Sequence, residues 1–307
     1  MTGITHRQII ANLGKDERAD LLARSDRAGL LHLAGHLAVL GLTGVWIVSA
    51  APLWQLGLLI HGIALIFLFT LLHECVHKTP FATQWLSTLA AAVCGFILLL
   101  PARWFTYFHL AHHRHTHDPQ RDPELAAPKP RSWRQYLLYL SGLPVWWSQL
   151  RVLASNAGNG PIDDFVPGDK HENIRREARI TIMLYALTAG LSWYAGSDIL
   201  LWIWVMPAIL GQPFLRAYLL AEHTLCPHVS NMLENSRTTF TGAPVRFIAW
   251  NMPYHAEHHT YPAVPFYKLP QFHQLMKQHL QCTEAGYTGF HKRFAGQLKR
   301  IDAGDGL

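Results

Sequence analysis

Three histidine clusters hold most of the chemistry available to this sequence. His73-Glu74-Cys75-Val76-His77 spaces two imidazoles four residues apart. His109-Leu110-Ala111-His112-His113 and His255-Ala256-Glu257-His258-His259 each set three at positions i, i+3 and i+4. On a helix those positions share one face, so each cluster can aim its rings at a single point. The chain carries 20 histidines against 4 cysteines. At that abundance an HxxxH is expected by chance roughly once, so the first cluster alone says little. An HxxHH is expected in roughly one chain in ten, and two together in fewer than about one in a hundred.

Two plus three plus three makes eight imidazoles, too many for one ion. Zinc usually takes four ligands, and its structural sites favour cysteine, which these spacings lack apart from Cys75. Eight or more imidazoles better suit two ions of a metal that accepts five or six ligands, such as iron. Neutral imidazoles leave the cationic charge uncompensated. Nearby carboxylates can offset it while orienting ring N–H groups, and Glu74, Asp118, Asp122, Glu222 and Glu257 are the candidates. Each of the five can equally be an ordinary surface charge on a loop.

The elements that position these clusters are apolar. Half of the 307 residues are hydrophobic and 15% are charged. Segments 30–50 and 53–72 contain no Asp, Glu, Lys or Arg, and 180–194 with 199–221 form a second pair interrupted by Arg216. The longer runs approach the ~20 residues that cross a hydrocarbon core. Of the 26 basic residues, five precede the first segment, twelve lie between His73 and Ile180, and eight follow Ala221. The short loops at 50–52 and 195–198 have none. The positive-inside rule then predicts four crossings in two hairpins, with both termini and all three clusters in the cytoplasm.

Segment 85–100, ending at Pro101, reads as re-entrant or interfacial. Segment 133–153 mixes Trp133, Tyr136, Tyr139, Trp146 and Trp147 with Arg134 and Arg151, which suits a helix at headgroup level. Residues 154–178 read as a surface loop. Residues 1–28 are polar and suggest no cleavable signal peptide. The expected organisation is one all-α membrane domain, 1–307. It divides into a cytoplasmic segment 1–29, a first hairpin 30–72, a cytoplasmic and interfacial part 73–179, a second hairpin 180–221 and a cytoplasmic part 222–307.

Composition excludes several classes. Low charge argues against disorder. Four cysteines without a CxxC pair argue against a disulfide scaffold, and the chain is long enough to bury a core without one. The net charge of +6 is absorbed by the topology signal, so it gives no support to nucleic-acid binding.

With its extended motifs, Phe108 to Thr116 and Asn251 to His259, the sequence resembles the membrane fatty acid desaturase/hydroxylase superfamily, most of all its bacterial members. The resemblance covers roughly 32–269. It implies a non-haem di-iron centre ligated by His73, His77, His109, His112, His113, His255, His258 and His259. A further histidine between the second and third clusters is common in the family, and His223 stands in that place. It also implies a cytoplasmic helical cap holding the irons, in a bacterial inner membrane. His115 and His117 fall outside the pattern. His32, His36 and His61, inside the first two spans, are expected to pack against neighbouring helices.

Iron with dioxygen reaches unactivated C–H bonds that no side chain can attack. The expected reaction is oxidation of an alkyl chain, preferably acyl-lipid desaturation, with hydroxylation as the alternative. Lys78, Arg103 and Arg114 could hold a headgroup, or could simply be positive-inside residues. Two electrons must come from a separate ferredoxin, rubredoxin or cytochrome with its reductase. The basic C-terminal residues Lys277, Lys292, Arg293, Lys299 and Arg300 would rest on anionic headgroups, dock such a donor, or stay solvated. Two rivals stand beside this reading. His73-Glu74-Cys75-Val76-His77 is a literal HExxH, the signature of a zinc protease, although a protease leaves both HxxHH clusters without work. A metal transporter would need polar residues along several spans, which are nearly free of acids.

Overall fold

The computed structural model describes residues 4–302, with side chains through 298. Lys299 and Arg300 therefore fall outside the described side chains. Helices dominate, and among the described residues the strands are one parallel pair, β1 (Thr238–Thr239) with β2 (Thr283–Glu284), in register Thr238↔Thr283.

Two short helices, α1 (His6–Asn12) and α2 (Lys15–Leu21), precede α3 (Asp26–Val48). Ser25 caps α3 by accepting the Ala28 N–H. A tight turn leads into α4 (Trp54–Ile66), which breaks at Phe67 before α5 (Leu68–Val76). Next come α6 (Gln84–Ile97) and α7 (Ala102–His115), whose axes bend by 101° at the Pro101 break. Their junction is tight because Gly95 lies against the Leu100 carbonyl, where a Cβ has no room. The bend gives the α6–α7 pair the form of a broken span or a re-entrant loop, where the sequence predicts a re-entrant or interfacial segment over 85–100.

Segment 133–153 is two helices, α8 (Trp133–Ser141) and α9 (Leu143–Ala157), hinged at Gly142 with φ +74. Leu137, Leu143 and Trp147 are exposed on their outer face, and the Arg151 guanidinium lies over the Trp147 ring. The loop expected over 154–178 is shorter than that. Helix α9 runs to Ala157 and α10 (His171–Tyr194) has already begun at His171. Its first turns, His171 to Arg179, carry enough charge to look like a loop but also the helix formers Glu172, Glu177 and Ala178. Helix α11 (Met206–His223) follows a π-helical turn at Leu201–Val205, which adapts the chain to Pro207 and Pro213. The short α12 (Met232–Asn235), α13 (Ala243–Ile248), α14 (His255–Thr260), α15 (Leu269–Met276) and α16 (Tyr287–Asp302) complete the chain.

Stretches Lys15–Val48, Trp54–Val76 and Leu201–His223 are long and apolar enough to cross a membrane, and the bent α6–α7 pair makes a fourth if it counts as one span. Helix α10 does not qualify, which alters the expected four-span set. Its apolar half has only 15 residues, about 22 Å at 1.5 Å each, against a hydrocarbon core of about 30 Å. The half before it carries Arg175, Arg176 and Arg179. Its outward residues are nonetheless apolar, with Met183, Leu187, Leu191 and Trp193 all exposed. So are Leu31, Leu42 and Val45 on α3. Broad exposed apolar faces of this kind belong against lipid.

Helices α4 and α11 pack backbone to backbone. A Cβ on Gly62 would collide with the Pro207 carbonyl, and one on Gly211 with the Gly62 carbonyl. Small residues that bring two backbones together are how helices associate without a hydrophobic driving force. This contact fixes the end of α11 beside the end of α5, where the chemistry lies.

Candidate metal centre

Nine histidines converge at the ends of four helices. Helix α5 carries His73 and ends at His77, α7 supplies His109, His112 and His113, α14 supplies His255, His258 and His259, and α11 ends on His223. Helix geometry predicts one shared focus for each cluster, and the structure instead divides them. Ligand atoms of His73, His77, His109, His113 and His258 lie within 4.8 Å of one another, and those of His112, His223 and His259 form a second such group. His255 joins the second, with Nε2 2.9 Å from His223 Nε2. The clusters on α7 and α14 thus each serve both groups, since neighbours one residue apart point about 100° apart around a helix.

The donor set fits metal cations. His112 Nδ1 faces Asp122 Oδ1 at 2.9 Å, and His223 Nδ1 faces the Asn235 carbonyl at 3.0 Å. Both partners are acceptors, so each Nδ1 carries the ring proton and each Nε2 presents a bare lone pair. These two Nε2 atoms lie 3.2 Å apart. Lone pairs held this close repel unless a cation lies between them. The first group shows the same crowding, with His77, His109, His113 and His258 linked in that order through Nε2 contacts of 2.9 to 3.2 Å. Burial holds His255, His258 and His259 well below the ordinary histidine range, helped by neighbouring imidazoles, and neutral rings are the form that binds metal.

Residues 51–292 match the sequence model of the family described as Fatty acid desaturase. The chain belongs to the fatty acid desaturase family. As a member it is a membrane oxidoreductase. Relatives are distant. The sn-1 oleoyl-lipid 12-desaturase of Picosynechococcus sp. is 22% identical over 266 residues, covering 79% of this chain and 75% of that protein. The Delta(12)-acyl-lipid-desaturase of Punica granatum is 26% identical over 249 residues, 70% of this chain and 62% of that protein. The Delta(12)-fatty-acid desaturase of Arabidopsis thaliana is 26% identical over 203 residues, 57% of this chain and 51% of that protein. The chain therefore spans between half and three quarters of the relatives it matches.

Within this desaturase-family site the five predicted carboxylates separate. Asp122 holds His112, and its other oxygen accepts the His117 N–H at 2.9 Å. Burial, the largest influence, would raise its carboxyl, but the hydrogen bond and charge of His112 together with the His117 N–H hold it below the ordinary value. Glu222 Oε1 lies 3.4 Å from His255 Nδ1. Glu74 is fully buried, accepting from Thr79 Oγ1 at 2.8 Å and from the Phe266 N–H at 3.1 Å through one oxygen, while the other is 3.9 Å from His258 Nδ1. A carboxylate so engaged ties α5 to the loop before α15 and is poorly placed as the general base of a zinc protease. Glu257 points away from the metal groups, bonding Thr238 Oγ1 and His273 Nδ1 at 2.5 Å each and anchoring α14 to β1 and α15. Asp118 is not at the centre. It binds Arg121 and closes an exposed turn, because its position after His117 has already left α7.

Five further histidines singled out by the sequence lie outside the two groups. His115 belongs to neither group. His117 hydrogen-bonds the Pro227 carbonyl at 2.9 Å, and its ring centroid is 5.4 Å from that of His223. His32 and His61 bond the carbonyls of Phe247 and Ile203. His36 accepts from Trp250 Nε1 at 3.1 Å, so its own proton sits on Nε2 and goes to the Ala64 carbonyl at 2.8 Å. These three are helix-packing groups.

Three features escaped the sequence. Glu124 Oε2 lies 3.4 Å from His112 Nε2, and its Oε1 accepts from Lys129 Nζ at 2.6 Å. Its position two residues after Asp122 was the available signal. Cys226 and Cys282 form a disulfide 56 residues apart in sequence, tying the chain just after His223 to β2. No spacing marks that pair. His273, unpatterned in sequence, is the partner of Glu257.

Proposed function

We propose that this chain introduces a double bond into the acyl chain of a membrane lipid, using two irons, dioxygen and two electrons from a separate protein. The observation that carries the reading is the division of nine histidines into two adjacent groups, with two clusters contributing to both. A bound iron pair supplies the oxidising power, and the protein holds the chain and excludes water. His73, His77, His109, His113 and His258 would hold one iron, and His112, His223, His255 and His259 the other. Asp122 and the Asn235 carbonyl keep two of these rings with Nε2 inward.

A cavity of about 30 Å³, room for a water or two and too small for an acyl chain, lies beside the site and is also lined by Gln149, Gln212 and Arg216. It is walled by Ile66, Phe69, Leu98, Trp146 and Leu215 between α4, α9 and α11, and the Phe69 ring also packs beside His73. A larger surface pocket of about 350 Å³ joins Arg103, Asn173 and Arg176 to Phe96, Ile180 and Leu184, a lining suited to a headgroup above an acyl chain. The charge distribution puts the iron site and both termini in the cytoplasm, where electrons are supplied, and this requires α10, despite its short apolar half, to act as the first limb of the second hairpin.

The test is mass spectrometry of membrane lipids from cells with and without the gene, co-expressed with a donor and reductase. The expected product is two mass units lighter than its substrate. A gain of sixteen would mean hydroxylation, and purified protein with one zinc and no iron would overturn the reading entirely.

A further inference from the structure

The geometry points to Glu124 as an anionic oxygen ligand of the second metal position, completing the group made by His112, His223, His255 and His259. This rests on the two-metal reading above and adds to it a donor that is not histidine.

The inference follows from how one carboxylate orders its surroundings. Asp122 Oδ1 accepts both from His112 Nδ1 at 2.9 Å and from the Glu124 N–H at 3.0 Å. It therefore fixes the His112 ring and the backbone that carries Glu124, at the start of a 3₁₀ turn whose φ is restricted by Pro123. From there the Glu124 side chain reaches the opposite side of the same imidazole. Its Oε2 lies 3.4 Å from His112 Nε2. In the neutral ring, the form that binds metal, that nitrogen is the bare one, because Asp122 takes the ring proton on Nδ1. A carboxylate oxygen facing a bare lone pair makes no hydrogen bond, and the pair repels unless a cation lies between them. The contact of His112 Nε2 with His223 Nε2 poses the same requirement at the same atom. One cation beside His112 Nε2 answers both.

The second oxygen shows why Glu124 stays in place. Oε1 accepts from Lys129 Nζ at 2.6 Å, so the ammonium anchors one oxygen and leaves Oε2 directed at the histidines. With Glu124 included, each position has five protein donors. The first has five neutral imidazoles and the second four imidazoles with one anion. A hard anionic oxygen favours the more oxidised state of iron, so the two irons are inequivalent by construction.

The experiment uses the purified holoenzyme enriched with ⁵⁷Fe, comparing wild type, Glu124→Gln and Lys129→Met by iron content, Mössbauer spectrum and melting temperature with and without metal. Wild type is expected to hold two irons per chain and show two distinct quadrupole doublets. Glu124→Gln is expected either to lose one iron or to shift one doublet and leave the other unchanged, with the metal-free melting temperature unaltered. Lys129→Met is expected to retain both irons. The inference is overturned if Glu124→Gln keeps two irons with both doublets unchanged. It is overturned equally if the variant's metal-free protein is destabilised as much as the loaded one, which marks a structural ion pair. Wild type without two irons would instead overturn the function proposed above.

Discussion

His112 Nδ1 lies 2.9 Å from Asp122 Oδ1, across the ten residues that join α7 to the next turn. The contact sets the tautomer of a ring at the centre of the second group, and the other Asp122 oxygen holds the His117 N–H. Asp122→Ala should therefore weaken metal binding by about 10- to 100-fold, the usual cost of losing a carboxylate behind a metal-bound histidine. It should also destabilise the metal-free fold by about 1–3 kcal/mol, because a buried N–H loses its acceptor. Metal content after dialysis and a melting curve in detergent check the two effects separately. Full metal retention would mean that Asp122 does not orient His112.

The same contact predicts a pH dependence. In the fold the Asp122 carboxyl is held below its ordinary value of 3.8. Its contribution to stability is thus complete above the unfolded value and is lost as pH falls through the lower, folded one. Wild type should exceed Asp122→Asn in melting temperature at pH 7, and the gap should close on acidification below about pH 4. Metal-free samples isolate this from proton competition at the histidines. A gap that widened in acid would refute the assignment.

How far this site is legible in sequence follows from the range of the interactions. The spacing His109, His112, His113 is local, and helix periodicity alone aims those rings together. Which ring serves which metal is not local, because it depends on where α14 and the end of α11 arrive. His223 was placed only by family resemblance, and Glu124 not at all, since its approach to His112 comes from a turn rather than a periodic element. Cys226 and Cys282 are brought together by the pairing of β1 with β2, a contact with no signature in the chain. Helix α10 misled in the other direction. Its apolar half looks like a span, but the helix continues into an arginine-rich half that composition alone assigned to a loop.

The α4–α11 contact offers a test of the scaffold apart from the metals. A Cβ on Gly211 would meet the Gly62 carbonyl and the Ile63 nitrogen, all backbone, so no side chain can turn aside. Gly211→Ala should destabilise the protein by about 1–3 kcal/mol or more, the range for overpacking a tight contact. Gly41→Ala, on α3 with nothing within 4 Å of the new methyl, should be neutral or slightly stabilising. Thermal unfolding in detergent compares the pair. Equal melting temperatures would mean that α4 and α11 are not in backbone contact.

His112 and His113 are adjacent in sequence but fall in opposite metal groups. Replacing them singly therefore separates the two positions with the least change in sequence. His112→Ala removes a nitrogen from the group containing His223 and His259, and His113→Ala one from the group containing His77, His109 and His258. Each single variant should lose metal from one position and retain it at the other, so iron per chain falls from two towards one. The double variant should fall towards zero. Because an oxygen-dependent oxidation needs both ions, every one of the three should lose product formation by about a hundredfold or more, the scale on which removing a group that stabilises the transition state acts. Iron analysis on the same preparations used for lipid turnover checks both quantities. If His112→Ala and His113→Ala depleted the same position, as judged by identical residual spectra, the division of the α7 cluster between two metals would be wrong.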